Sequence, residues 1–327
     1  MCLEKKYLEK PWIINVELTN ACNLECIFCD HPIFKKNMKI KEMDDQLLIR
    51  VLTDVKEKRI YELGLVGLGE PTLDRNLKRH LEIINNYADN FERISFNSNL
   101  VSLKKEQAEI LSESRVNAYT FSVNASNRNF YLNLTGKDKF NHIIENLKTF
   151  INILNAKKRK PRVDIQIFES GQNNLQEIKA LFPEADDLGV NFFYRKVYNK
   201  PVIQDKKINL VNAHTPNEKL RYPCWDMYTR IYIDVEGNLY PCTIGNDSYR
   251  ETSQLCLGNV YYNSVLDLFN CEKIQMARRI SEKGEIPFIE CKLCNIWFLT
   301  PNNFEWDETN LKWKKKEKQI RAYSLKE

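Results

Sequence analysis

The chain has 327 residues, 43% of them apolar, and its 49 Lys and Arg against 44 Asp and Glu leave a net charge of +5. That is enough apolar material for a barrel-sized domain and a small extra module, and it excludes a disordered chain. No apolar run approaches the roughly 18 residues of a membrane span, and the opening Met1-Cys-Leu-Glu-Lys-Lys has no apolar signal segment. Ten Cys in such a chain point to metal or redox use rather than a disulfide framework, and the expected compartment is the cytoplasm. Two basic runs, Lys157–Lys160 and Lys312–Lys318, read as solvated loop and tail, and no nucleic-acid motif accompanies them.

The first predicted strand is Trp12–Leu18. Directly after it come Cys22, Cys26 and Cys29, spaced Cys-x-x-x-Cys-x-x-Cys. Three thiolates this close can hold three irons of a [4Fe–4S] cluster and leave the fourth iron open to a small molecule. A helical face follows in Leu47, Leu48, Val51, Leu52 and Val55, then a strand over Leu63–Gly67. This strand runs into Gly67-Leu-Gly-Glu-Pro71, a turn whose small residues admit close approach of a ligand and whose Glu70 can accept from an amino group. Further strands are expected at Arg93–Asn97, Ala118–Asn124, Arg162–Phe168 and Val190–Val197. Between the fourth and fifth, Phe140, Ile143, Ile144, Leu147, Ile151 and Leu154 mark a long helix. Alternating strand and helix predicts an α/β fold, a partial (β/α)6 barrel over residues 1–205, with a doubly wound open sheet as the competing architecture.

The pattern changes beyond residue 205. Arg230–Val235 and Asn238–Cys242 flank Glu236-Gly237 as a hairpin, and helices are expected at Ser264–Phe269 and Glu272–Glu282. Cys224, Cys242, Cys291 and Cys294 would hold a metal in this second domain, set at residues 206–310, and a charged helical tail would follow over 311–327. Four cysteines suit zinc as well as an iron–sulfur cluster, and spacing does not separate them. Cys2, Cys256 and Cys271 read as ordinary thiols. His31 reads as a loop residue beside the first Cys group, and Gln166 and Glu169 as strand-end polar groups.

The Cys22 triplet and the Gly67–Pro71 turn, both at strand ends where barrel sites form, resemble the radical SAM superfamily. The resemblance implies that Cys22, Cys26 and Cys29 bind a [4Fe–4S] cluster and that S-adenosylmethionine (SAM) binds its open iron. Reductive cleavage of SAM then yields a 5′-deoxyadenosyl radical that abstracts hydrogen from a substrate. It implies that Phe28 lies against the adenine and that Gly67, Gly69, Glu70 and Pro71 hold the amino group, with Leu68 where the family has a second Gly. Asn97, Asn99, Ser122 and Asn124 become candidates for ribose and carboxylate contacts, with helix capping as their plain alternative. Tyr131–Lys137 also looks like this family and is expected as a loop over the barrel mouth.

The pattern Cys224-x12-Gly237-x4-Cys242 with Cys291-x-x-Cys294 resembles the twitch domain, the shortened relative of the SPASM domain. That implies one auxiliary [4Fe–4S] cluster ligated by all four Cys. A fully ligated cluster fits a one-electron acceptor, which favours net two-electron oxidation of a sugar- or cyclitol-like small molecule, as in enzymes of the 2-deoxy-scyllo-inosamine dehydrogenase type. A peptide maturase and a two-cluster electron carrier are the alternatives. Arg195 is the candidate substrate-facing catalytic residue, and a flavodoxin- or ferredoxin-type protein the expected reductant. Neither a nucleic-acid nor a membrane partner is expected.

Overall fold

A computed structural model describes residues 8–197, 223–243, 253–292 and 294–298, together with the backbone of 304–307 and 312–315. Six strands alternate with helices: β1 Ile13–Val16, β2 Ile60–Leu65, β3 Phe91–Ser98, β4 Ala118–Asn124, β5 Arg162–Phe168 and β6 Asn191–Arg195. All five neighbouring pairs among them are parallel, as helical crossovers require. The intervening helices include α1 His31–Phe34, α2 Asp45–Asp54, α3 Leu77–Asn85, α4 Lys105–Glu113, α5 Arg128–Thr135, α6 Phe140–Ala156 and α7 Leu175–Ala180. The expected α/β partial barrel is therefore the fold.

Strand periodicity decides which side chains meet the helices. Ile14, Val16, Leu63, Leu65, Ile94, Phe96, Phe121 and Ile165 are buried in one core with Leu47, Val51, Ile143 and Leu147 of α2 and α6. Each such side chain contributes about 1.5–3 kcal/mol by leaving water. The alternate positions carry Asn15, Glu62, Ser95, Asn97, Ser122 and Gln166, which form the opposite, polar wall.

The C-terminal strands extend this sheet. β7 Arg230–Ile233 lies parallel to β1, with Ile13 opposite Arg230 and Val16 opposite Ile233. β8 Asn238–Tyr240 and β9 Gly258–Asn259 follow antiparallel, giving a nine-stranded sheet in the order β6-β5-β4-β3-β2-β1-β7-β8-β9. Gly237, at φ +84°, closes the β7–β8 turn, and the Asp234 carboxylate accepts from Glu236 N at 2.9 Å and Asn238 N at 3.0 Å. Helices α8 Trp225–Thr229, α9 Val265–Phe269 and α10 Glu272–Glu282 complete this part. Ser264 caps α9 through Asp267 N at 3.1 Å.

Two expectations are corrected. Tyr131–Lys137 does not form a mouth loop: Tyr131 lies within α5, which ends at Gly136 in the left-handed conformation. In the expected helical tail, Lys312–Lys315 forms a strand antiparallel to Phe304–Asp307, with Asp307 opposite Lys312 and Glu305 opposite Lys314. Acidic residues opposite lysines, and Trp306 opposite Trp313, suit a strand pair better than a helix there. The remainder of the tail, from residue 316, lies outside the described residues, as does the predicted junction near residue 205.

Candidate active site

The Cys22–Cys29 loop leaves the C-terminal end of β1 and is gripped from several sides. Glu70 N donates to Ala21 O at 2.7 Å, Glu25 N to Thr135 O at 2.9 Å, and Ile27 N to Leu134 O at 3.0 Å. None of the three thiols is in a disulfide, and burial pushes Cys22 up to about 12, with the Glu70 and Cys29 charges adding to it. Burial also drives Cys26 far upward, helped by Cys29 and Cys22 and opposed by the Arg195 guanidinium. The three sulfurs therefore share one electrostatic neighbourhood that disfavours bare thiolates. Metal coordination, which replaces the thiol proton, would relieve this penalty. Among the described residues, no three Cys, His, Asp or Glu side chains close about one point as ligands of a single ion.

The Gly67–Pro71 turn packs directly under this loop. A Cβ at Gly69 would collide with the Thr19 carbonyl oxygen, so only glycine fits. Glu17, 1% exposed at the end of β1, accepts from Leu68 N at 2.9 Å and Gly69 N at 3.2 Å. Its other oxygen takes Val235 N at 3.4 Å, so one carboxylate joins β1, the turn and the β7–β8 connection. Pro71 opens a short 3₁₀ turn, Pro71–Leu73.

Glu70 differs from the expected ligand acceptor. Its buried carboxylate is engaged by protein donors: Thr72 N at 3.1 Å, Thr72 Oγ1 at 2.6 Å, Ser98 Oγ at 2.8 Å and Asn99 N at 2.6 Å. Burial pushes its carboxyl above the usual carboxylate range, and these donors partly offset the rise. Glu70 thus ties the turn to the end of β3. Asn99 in turn donates to Asn23 Oδ1 at 2.9 Å and approaches Cys22 Sγ at 3.9 Å, which links β3 to the Cys loop.

The remaining predicted residues converge from successive strand ends. Ser122 accepts from Gln166 Nε2 at 2.7 Å across β4 and β5. Asn97, half-buried on β3, pairs in register with Thr120. Asn124 adopts φ +67° beside a register shift, and its buried Oδ1 has no hydrogen-bond partner among the described residues. A strained strand end with an unpaired acceptor is the local signature of a binding position. Phe28 meets Phe168 edge-on at 4.4 Å, and the Arg195 guanidinium lies over Phe168 at 5.5 Å. Phe28, Phe168 and Arg195 thus form one group beside the Cys loop. His31 is fully buried and sits 3.0 Å from Asn20 O.

The second Cys group lies at the opposite end of β1. Trp12, just before β1, donates its N–H to Thr229 O at 2.7 Å and meets Trp225 edge-on at 5.2 Å. Cys224, Cys242, Cys291 and Cys294 pack against the same small core as Trp12. Burial pushes Cys224 and Cys242 far up; the Asp226 carboxylate and the other thiols of the set push further. Cys256 packs on the same core but contacts Gly258 O at 3.8 Å, and its shift comes from burial, Gly258, Asp234 and Lys273 with no thiol of the set among the causes. Each group of thiols matches the soft, thiolate-rich donor set that iron–sulfur clusters require.

The model of the radical SAM superfamily matches residues 16–156, and that of SPASM, an iron–sulfur cluster-binding domain, matches residues 224–295. The chain thus carries a radical SAM domain followed by a SPASM domain. As a radical SAM enzyme it uses a [4Fe–4S] cluster and SAM, and its SPASM domain carries auxiliary iron–sulfur chemistry. A probable GTP 3′,8-cyclase of Saccharolobus solfataricus is 29% identical over 282 residues, covering 75% of this chain and 87% of the relative. A Saccharolobus islandicus protein of the same name is 27% identical, and the chain spans 54% of its length. Among solved structures, BtrN in complex with AdoMet and 2-DOIA has a TM-score of 0.58 at 17% identity, covering 88% of this chain and 93% of that one. SuiB of Streptococcus suis bound to precursor peptide SuiA has a TM-score of 0.62 at 16% identity, covering 83% and 67%. The radical SAM enzyme shares its fold with both. No helix among the described residues is long and apolar enough to cross a membrane.

Sequence reasoning did not single out Glu17, Asp226 or Tyr131. An acidic residue inside the apolar run Ile13–Leu18 was the available signal for Glu17. Asp226, two residues past Cys224, carries no such mark, and Tyr131 enters only as the first residue of the stretch Tyr131–Lys137.

Proposed function

We propose that this radical SAM enzyme oxidises a small, polyhydroxylated or aminated molecule of the sugar or cyclitol class by two electrons. Cys22, Cys26 and Cys29 hold the SAM cluster in this reading, and Cys224, Cys242, Cys291 and Cys294 hold one auxiliary [4Fe–4S] cluster. The observation that carries the reading is the polar inner wall of the partial barrel. Glu62, Ser95, Asn97, Ser122 and Gln166 alternate with the apolar residues that meet the helices, and Arg195 stands at the mouth. Such a wall suits a ligand rich in hydroxyl and amino groups better than an apolar side chain.

The SAM cluster, held by Cys22, Cys26 and Cys29, would supply hydrogen-atom abstraction, and the auxiliary cluster, held by Cys224, Cys242, Cys291 and Cys294, would supply one-electron acceptance; with loss of the hydroxyl proton these balance the conversion of a carbinol to a ketone. The chain's own residues orient this chemistry. Gly67–Pro71, fixed by Glu17 and Glu70, presents the turn to the SAM amino group, and Asn124 offers its unpaired oxygen. Arg195, braced on Phe168, holds a substrate hydroxyl or carboxylate near the reacting carbon. Four thiolates leave the auxiliary cluster no open iron, consistent with electron acceptance rather than substrate ligation. A flavodoxin- or ferredoxin-type protein serves as the electron source.

The test is anaerobic incubation of reconstituted enzyme with SAM, reductant and C-deuterated aminocyclitols or sugars. One 5′-deoxyadenosine per ketone, carrying deuterium, is expected. A second reading, a purine nucleotide substrate, is favoured by the named Saccharolobus relative. Deoxyadenosine formation with GTP and none with cyclitols would replace the first reading by the second. A response to peptides alone would favour a maturase.

A further inference from the structure

Helix α5 does more than border the barrel. Its last turn holds the cluster loop on both sides of Cys26, through Glu25 N to Thr135 O at 2.9 Å and Ile27 N to Leu134 O at 3.0 Å. Lys137 Nζ adds an ion pair to Glu25 at 3.0 Å. Gly136, at φ +70°, brings the backbone so close that a Cβ there would stand 3.1 Å from Glu25 Cβ. Three and four residues before Leu134 and Thr135 on a helix lie on the same face, and those positions include Tyr131.

Tyr131 is 0% exposed, and its hydroxyl meets no acceptor in hydrogen-bond geometry among the described residues. Thr135 stands close enough to influence the phenol but outside hydrogen-bond geometry with it, and its Oγ1 donates to the Tyr131 carbonyl at 2.8 Å. Burial raises the phenol first and the Cys26 charge next, with smaller effects from Glu70 and Cys22, in keeping with a side chain on the helix that holds the loop on both sides of Cys26. A buried hydroxyl without a partner costs about 1–3 kcal/mol and calls for an acceptor.

We propose that the Tyr131 hydroxyl donates a hydrogen bond to a sulfur of the cluster held by Cys22, Cys26 and Cys29, and thereby raises that cluster's reduction potential. A phenol keeps its proton at neutral pH, and sulfur ligands of an iron–sulfur cluster accept such bonds. Reduction adds negative charge to the cluster, so a donor aimed at its sulfur stabilises the reduced form more than the oxidised one. Tyr131 is therefore a positioning and tuning residue that never touches substrate. The inference rests on the assignment of the three Cys as ligands.

The experiment is an EPR-monitored redox titration of reconstituted holoenzyme, reading the reduced signal that changes when SAM is added. In Tyr131→Phe, iron content and the SAM response should persist while the midpoint potential moves negative. In D2O, one exchangeable deuteron coupled to the cluster should be lost. Placing 3-fluorotyrosine at position 131 keeps the shape, strengthens the donor and should move the potential positive, which covers a Phe variant that fails to take up iron. An unchanged potential in both variants overturns the proposal. Survival of the SAM-responsive signal in Cys26→Ala overturns the ligand assignment beneath it, and the two failures are thus told apart.

Discussion

The Asn99 backbone N–H meets the buried Glu70 carboxylate at 2.6 Å, and through this bond the turn after β2 is held to the end of β3. The relationship makes Glu70 a brace for the proposed SAM site. Glu70→Ala leaves Thr72 N, Ser98 Oγ and Asn99 N without their acceptor. Bonds to a charged acceptor contribute about 1.5–3 kcal/mol each. SAM affinity should fall about tenfold or more, since 1.4 kcal/mol is a factor of ten. Iron bound at the Cys22 group should be retained. Calorimetric titration with SAM, beside an iron assay, checks both.

The same carboxyl carries a pH signature. Burial raises it above its unfolded value, so the native state binds its proton more readily. Its contribution to stability is then full below the unfolded value and is lost as pH rises through the raised folded value. Glu70→Gln removes this slope. Thermal midpoints measured against pH should show the Gln variant gaining on the parent as pH rises; a constant difference would contradict the assignment of the shift.

Gly69 and Gly171 offer a matched pair. A Cβ at Gly69 strikes the Thr19 and Ala21 carbonyls, whereas one at Gly171 meets nothing within 4 Å. Gly69→Ala should displace the turn and abolish SAM binding, because backbone must move. Gly171→Ala should leave midpoint and SAM affinity within about 0.5 kcal/mol of the parent. Equal behaviour of the two variants would contradict the close packing of turn and Cys loop.

Cys242 and Cys256 are both cysteines of the C-terminal part, yet only Cys242 feels the other three thiols. Cys242→Ser should lower iron content and remove the EPR signal that does not respond to SAM. Cys256→Ser should keep both. Loss of iron in Cys256→Ser would make it a ligand.

Much of this architecture was legible in the chain. The strands Ala118–Asn124 and Arg162–Phe168 coincide with β4 and β5, because alternation of Tyr119, Phe121 and Val123, or Val163, Ile165 and Ile167, is a local pattern. The Cys spacing and the Gly67 turn were local too. The junction of β7 with β1 was not, because it pairs Ile13 with Arg230 across a sequence separation that no periodicity spans. For the same reason the sequence does not show that the hairpin of the second domain continues the barrel sheet. Glu70 was recognised as a site residue, but its partners Ser98 and Asn99 arrive from another strand, so its bracing role was invisible. The strand at Lys312–Lys315 was misread as helix because charge dominated the apolar signal of Trp313.

Glu17 carries the most exacting prediction, since it joins the SAM turn to the C-terminal strands. Its Oε1 takes Leu68 N and Gly69 N, and its Oε2 takes Val235 N. Glutamine has one acceptor oxygen and one NH2 group, so Glu17→Gln must place a donor against either the turn or Val235. The variant should lose about 1–3 kcal/mol of stability for the buried donors left unpaired. Its SAM affinity should fall, because the Gly67–Pro71 turn loses an anchor. Amide hydrogen exchange separates this account from a general loosening. Leu68, Gly69 and Val235 should exchange faster in Glu17→Gln, while Leu147 in the buried face of α6 keeps its parent rate. Unchanged exchange at Val235 would show that the carboxylate serves the turn alone, and that the pairing of β1 with β7 carries the connection by itself.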